Sequence, residues 1–121
     1  MSLDEPIYRD SRGEIRRYEI RDVKFNVLFT KKGALRSGDY HPVEQYDLIL
    51  KGKVKITLRK NGKDEIIQKG ANELVTIPKN IPHLFEFLED TIMLEWWSGP
   101  FEVEYYKPYR KFVEEQFEDG K

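Results

Sequence analysis

The chain has 121 residues, enough for one domain, and 21 basic against 22 acidic residues leave a formal net charge of −1. A near-neutral balance excludes a chain-wide pull on nucleic acid or anionic membrane, and the lack of cysteine excludes disulfides, thiolate metal sites and a cysteine nucleophile. Seven Phe, seven Tyr and two Trp supply core material that a disordered chain of the same charge fraction lacks.

Met1–Pro6 shows no basic stretch leading into an apolar one, and no later run approaches the roughly 18 apolar residues of a membrane span. The expectation is a soluble, cytoplasmic protein with neither nucleic acid nor membrane as partner. From there the dominant period is two. Val23, Phe25, Val27 and Phe29 alternate with Lys24, Asn26 and Leu28; Val54, Ile56 and Leu58 with Lys53, Lys55, Thr57 and Arg59; and His83, Phe85 and Phe87 with Leu84, Glu86 and Leu88. That pattern predicts half-buried strands. Stops at Gly33, Gly38, Gly52, Gly70, Pro78, Pro82 and Gly99-Pro100 fall at the spacing of an all-β sandwich or barrel. Asn61-Gly62 supplies two residues that accept positive φ, so Val54–Lys60 and Glu65–Gln68 are expected to pair through a tight hairpin. Glu89-Asp90 is read as a turn before Thr91–Trp97. Adjacent Trp96 and Trp97 place one indole on each face, one expected in the core and one as a stacking platform or interface residue. Pro108 opens a short helix predicted over Pro108–Phe117, with Tyr109, Phe112, Val113 and Phe117 on its apolar side and residues 118–121 fraying. The whole chain, 1–121, reads as one domain.

Two histidines, His41 and His83, are the only imidazoles. Asp39, His41 and Gln45 share parity, so an extended segment with a bulge near Pro42 directs all three to one face. Such a group either holds a ligand or hydrogen-bonds internally in a polar barrel mouth. Tyr40 and Tyr46 flank the group, as pocket-lining or ordinary strand residues, and Glu44, Asp47 and Glu95 are further candidate acids.

These residues resemble the two motifs of the cupins, whose first reads Gly, five residues, His-x-His, three or four residues, Glu, six residues, Gly. Gly33, Asp39, His41, Gln45 and Gly52 have that spacing, and Pro78, Asn80 and His83 match the Pro-x-Gly-x-x-His of the second, over about residues 22–97. Asp39 stands for the first histidine, Gln45 for the glutamate and Asn80 for the glycine. The resemblance implies an all-β, cupin-type double-stranded β-helix (jelly-roll) barrel with a short C-terminal helix. It also implies a metal site of Asp39, His41, Gln45 and His83 for a divalent Mn, Fe, Co, Ni or Zn ion, a small-molecule ligand, and a homodimer, since an edge strand needs covering.

A narrower similarity points elsewhere. Arg36-Ser-Gly-Asp39-Tyr-His41 followed by Glu44-Gln45, Asp10-Ser-Arg12-Gly13 near the N-terminus and Tyr105-Tyr106…Tyr109-Arg110 resemble segments of cupin-fold sugar-nucleotide 3,4-ketoisomerases and epimerases. That resemblance implies metal-independent proton transfer with His41 as general base, Arg36 on a diphosphate and no cofactor, and Tyr46 beside the motif is a candidate to line the substrate pocket. Three expectations stand side by side: a metal-binding cupin acting on a small polar or carbohydrate-like substrate, a metal-independent isomerase or epimerase, and a non-catalytic ligand-binding cupin.

Overall fold

A computed structural model describes residues 2–119, with side chains from Tyr8 to Gln116. The elements among the described residues are β1 (Ser2–Asp10), β2 (Gly13–Ile20), β3 (Val23–Thr30), β4 (Leu35–Tyr40), β5 (Gln45–Lys51), β6 (Lys53–Lys60), β7 (Lys63–Gly70), β8 (Leu74–Ile77), β9 (His83–Phe87), β10 (Thr91–Trp97), β11 (Glu104–Tyr105) and α1 (Lys107–Asp119). They form two antiparallel sheets, ordered β1-β2-β3-β10-β5-β8 and β11-β4-β9-β6-β7. Chain neighbours β3 and β4, β5 and β6, and β9 and β10 lie in different sheets. The chain therefore winds back and forth between two layers, which is the jelly-roll pattern. The Glu89-Asp90 turn is one of these crossings.

Asn61 (φ 52°) and Gly62 (φ 75°) close the β6–β7 hairpin between Lys60 and Lys63, as a two-residue turn with both φ positive requires. Inward residues of the two sheets meet in a core of Leu28, Ile49, Val54, Ile56, Val75, Ile77, Phe85, Phe87 and Met93.

The helix begins one residue before Pro108 and runs two past Phe117, to Asp119; residues 120 and 121 of the expected frayed end lie outside the described residues. Tyr109 and Val113, one turn apart, are buried, whereas Phe112 is exposed. The buried stripe is narrower than the apolar pattern suggested. The helix is tied to β4 and the turn leading into it by three side-chain bonds. Gln116 accepts from Leu35 N (2.6 Å) and donates to Gly33 O (2.9 Å), and Arg110 Nη1 donates to Ser37 O (2.8 Å). A Cβ on Gly38 would stand 2.7 Å from the Cα of Arg110, so this close approach needs glycine.

Gly38 also carries the local irregularity that shapes the interior. Ser37 (φ 79°) and Gly38 (φ 72°) form a bulge, and the β4–β9 register slips between Ser37 and Asp39. The bulge expected near Pro42 is therefore in β4 instead, because the strand has already ended at Tyr40. An extra residue inverts side-chain alternation. Arg36 and Asp39, of opposite parity, consequently both line the interior.

Candidate metal centre

Asp39 and His83 are direct register partners on β4 and β9. His41 follows β4 in the connection to β5. The turn of the second motif is fastened to it, since Asn80 N donates to His41 O at 2.6 Å. Asn80 holds φ 62°, the conformation for which glycine or asparagine is suited.

Each imidazole donates from Nδ1 to a backbone carbonyl, His41 to Glu102 O (2.7 Å) and His83 to Ile81 O (2.9 Å). A carbonyl only accepts, so these bonds fix the tautomer and leave the two Nε2 atoms as the free ends. Both point at one oxygen. Asp39 Oδ1 is 3.4 Å from His41 Nε2 and 3.2 Å from His83 Nε2, and the three atoms lie within 4.8 Å of one another. Neither Asp39 Oδ1 nor His83 Nε2 has a hydrogen-bond partner among the described residues, although both are buried.

Three lone-pair donors facing one another in a buried site repel unless a cation lies among them. A proton on an imidazole can serve. A metal ion fits as well: atoms bonded at ~2.0–2.2 Å to one ion lie roughly 2.8–3.6 Å apart at its adjacent corners, which brackets the 3.4 and 3.2 Å separations from Asp39 Oδ1 to the two imidazoles. Fixing Nδ1–H on a carbonyl is also how metal-binding imidazoles are oriented. Burial opposes ionisation of Asp39, yet the contacts with His41 and His83 hold its carboxyl down at about 2. Burial works against the charged form of His41, but Asp39 and the Glu102 carbonyl hold its pKa above the ordinary value.

Gln45 is buried beside this cluster and is committed elsewhere. Its Nε2 donates to Asp47 Oδ2 (2.8 Å) and Glu95 Oε2 (3.0 Å), and its Oε1 accepts from Trp97 Nε1 (3.2 Å). The amide thus bridges two carboxyls facing each other across β5 and β10. Burial first, and then the neighbouring acid, push the Asp47 carboxyl well above the carboxylate range; burial also raises Glu95.

Asp39, His41, Gln45, Glu95 and Arg36 line an inner chamber of about 280 Å³. Arg36 is 6% exposed; its Nε donates to Thr30 Oγ1 (2.9 Å), while its Nη2 has no partner among the described residues. Burial, and then the charge of Arg12, lower its pKa to about 10.

Other predicted residues sit elsewhere. Tyr46 is on the outer face, because its inward neighbours Gln45 and Asp47 fix the alternation; it donates to Glu44 Oε1 (2.6 Å) and stacks on Trp96 (5.6 Å between centroids). Its expected role against a substrate in the barrel does not fit that placement, and Glu44 is likewise outside. Neither tryptophan is fully buried: Trp96 lies outside on Tyr46 and Trp97 lines the chamber. The Asp10–Gly13 element is the β1–β2 turn, where Arg12 pairs with Asp10 (2.6 Å) and donates to Leu35 O (3.1 Å), bracing the start of β4. Sequence reasoning passed over Phe101, whose ring stands 5.2 Å from that of His41. Only its position after Trp96-Trp97 and Gly99-Pro100 hinted at it.

No protein-family model matches the chain, and no curated protein does. Solved structures do. An oxalate decarboxylase from Bacillus subtilis superposes with a TM-score of 0.70 at 22% identity, over 78% of this chain and 27% of that one. The capsular polysaccharide assembling protein CapF from Staphylococcus aureus gives 0.70 at 24% identity, over 86% and 34%. A CapF structure with the inhibitor 3-isopropenyl-tropolone gives 0.69 at 23%, also over 86% and 34%. The chain spans about a third or less of the length of these proteins. The likeness identifies the fold as the cupin jelly roll.

Proposed function

We propose that this protein is a small-molecule-binding cupin that holds a divalent transition-metal ion with Asp39 Oδ1, His41 Nε2 and His83 Nε2. The carrying observation is the convergence of those three atoms, two of them buried without a hydrogen-bond partner. Two imidazoles and one carboxylate suit Mn, Fe, Co, Ni or Zn, with positions left over for a ligand. Gln45, tied to Asp47, Glu95 and Trp97, serves as a neighbour that orients the acids rather than as a ligand.

A bound metal would act as a Lewis acid toward an oxygen of the substrate. The chain's own groups do the rest. Arg36 Nη2, buried and unpartnered, receives an acidic or hydroxyl oxygen. Gln45 holds Glu95 at the chamber wall, where burial raises its pKa and suits the carboxyl to proton transfer. The substrate class is small and polar, sugar-like or acidic, as an inner chamber of about 280 Å³ allows.

A second reading is favoured by one observation. His41 is oriented by Glu102 O and shares its chamber with Arg36 and Tyr105, so base, anion holder and phenol stand around one cavity. That is what a metal-independent sugar-nucleotide isomerase or epimerase with His41 as base requires.

Elemental analysis and calorimetric titration with Mn²⁺, Co²⁺, Ni²⁺ and Zn²⁺ test the first reading. Binding at micromolar concentration, lost in His83→Ala, is expected. Failure of every ion to bind would refute it. The isomerase reading instead expects solvent deuterium to enter a keto sugar nucleotide in chelator-treated protein, and His41→Ala to stop it.

A further inference from the structure

A second, larger cavity adjoins the inner chamber. Its volume is about 690 Å³, within the ~300–1,000 Å³ that ligand pockets occupy. Arg17, Asn26, Trp97 and Phe101 line both spaces, so these side chains mark the passage between them. The metal centre lies just beyond. His41 has the Trp97 ring at 5.8 Å and the Phe101 ring at 5.2 Å.

The outer cavity has two aromatic walls. One is Trp97 with Phe101, edge to face at 4.6 Å. The other is Tyr18 stacked on Phe25 at 5.5 Å. Trp97 is pinned by its bond to Gln45. Phe101 has no such tether and leaves 54% of its surface exposed, a large apolar area to keep in water. The charge on the rim is unbalanced at the passage. Arg17 and Lys24 line the cavity, and neither forms an ion pair among the described residues; Asp22 is the single carboxylate lining it. A guanidinium at the junction, beside aromatic faces open to solvent, suits a flat molecule that carries negative charge.

We propose that the outer cavity binds the planar ring of an anionic ligand, with the ring against Trp97 and Phe101 and the anionic group beside Arg17 at the entrance to the metal centre. The inference deepens the proposed function by naming the class of molecule that reaches that centre. It rests on that reading only for what the ligand meets further in.

Three probes separate ring from charge: phenylacetate carries both, acetate only the charge and benzyl alcohol only the ring. Binding is followed by tryptophan fluorescence and calorimetry, in chelator-treated and in Mn²⁺-loaded protein. Phenylacetate is expected to bind more tightly than either partial probe in both preparations. Phe101→Ala is expected to weaken it about 2- to 10-fold, the range of an aromatic contact, and Arg17→Gln about 2- to 5-fold, the range of an exposed charge pair. Both side chains are exposed, and unchanged melting temperatures confirm that the variants fold. Acetate binding as well as phenylacetate would overturn the ring subsite. Benzyl alcohol binding as well would overturn the charge. Absence of phenylacetate binding, or binding indifferent to both substitutions, would overturn the whole. Phenylacetate selectivity in a protein that takes up no metal would leave this inference standing and remove the metal reading.

Discussion

The two ends of the barrel interior are built on the same strands and differ in almost every physical respect. Inward positions along β9 run His83, Phe85, Phe87, and along β5 Gln45, Asp47, Ile49. On β10, Glu95 and Trp97 lie at one end and Met93 at the other. At the apolar end Val54, Ile56, Phe85 and Phe87 are essentially sealed from solvent. At the polar end, equally buried atoms of Asp39, Asp47 and His83 lack partners among the described residues. Unpaired buried polar groups cost stability. One end thus stabilises the shell, and the other holds reactive groups at its expense.

Phe85 joins the two ends, its ring 6.1 Å from both His83 and Phe87. Phe85→Ala is expected to cost ~3–5 kcal/mol in urea denaturation, the largest effect of any substitution here. A loss below ~1 kcal/mol would show that the apolar end is not the stabilising one. His83→Ala should do the reverse. Metal affinity is expected to fall by more than about 100-fold, beyond the cost of losing an outer-sphere partner, while the melting temperature changes little. A large melting change with metal binding intact would erase the contrast.

Asp47→Asn is expected to raise stability at neutral pH. The folded-state pKa of Asp47 lies above its unfolded value, so its ionisation in the unfolded chain disfavours folding once pH exceeds that unfolded value. The amide keeps an acceptor for Gln45 and removes that penalty. A gain of roughly 3 °C or more in melting temperature is expected at pH 7, vanishing below about pH 4, where the native carboxyl is protonated in both states.

The smallest effect concerns His41. Its folded pKa is raised, so in the metal-free protein its pairing with Asp39 stabilises fully below the unfolded value, near 6.5, and that contribution is lost as pH rises through the folded value. Asp39 behaves oppositely: its contribution is present above the unfolded value of 3.8 and is lost as pH falls toward about 2. Imidazole resonances followed by NMR should show His41 titrating above 6.5 without metal and not titrating with it. A titration below 6.5 would contradict the pairing.

Much of the shell was legible in the sequence because its signals are local. Alternation gave β6 and β9 with their buried faces and located β3, whose buried residues are Leu28 and Thr30 rather than the Val23–Phe29 series, and Asn61-Gly62 gave the β6–β7 hairpin with its register. The approach of His41 and His83 was legible only through motif spacing, since more than forty residues separate them. The rest depended on tertiary contacts. The bulge at Ser37-Gly38 exists where the helix packs on the strand, and no local rule places it there. That bulge lets Asp39 face the interior together with Arg36, which is itself buried against the usual rule that an arginine stays at the surface. Gln45 illustrates a related point. Its spacing is that of a ligand, but its amide orientation is set by Asp47, Glu95 and Trp97 on neighbouring strands.

The bonds from Gln116 and Arg110 to Gly33, Leu35 and Ser37 splint the strand that carries both Arg36 and Asp39. The helix turns that carry Arg110 and Gln116 are therefore part of the machinery that aims the centre. Cutting the chain after Pro108 would release β4 on that flank, and ligand affinity would become a gauge of how firmly the tail is seated.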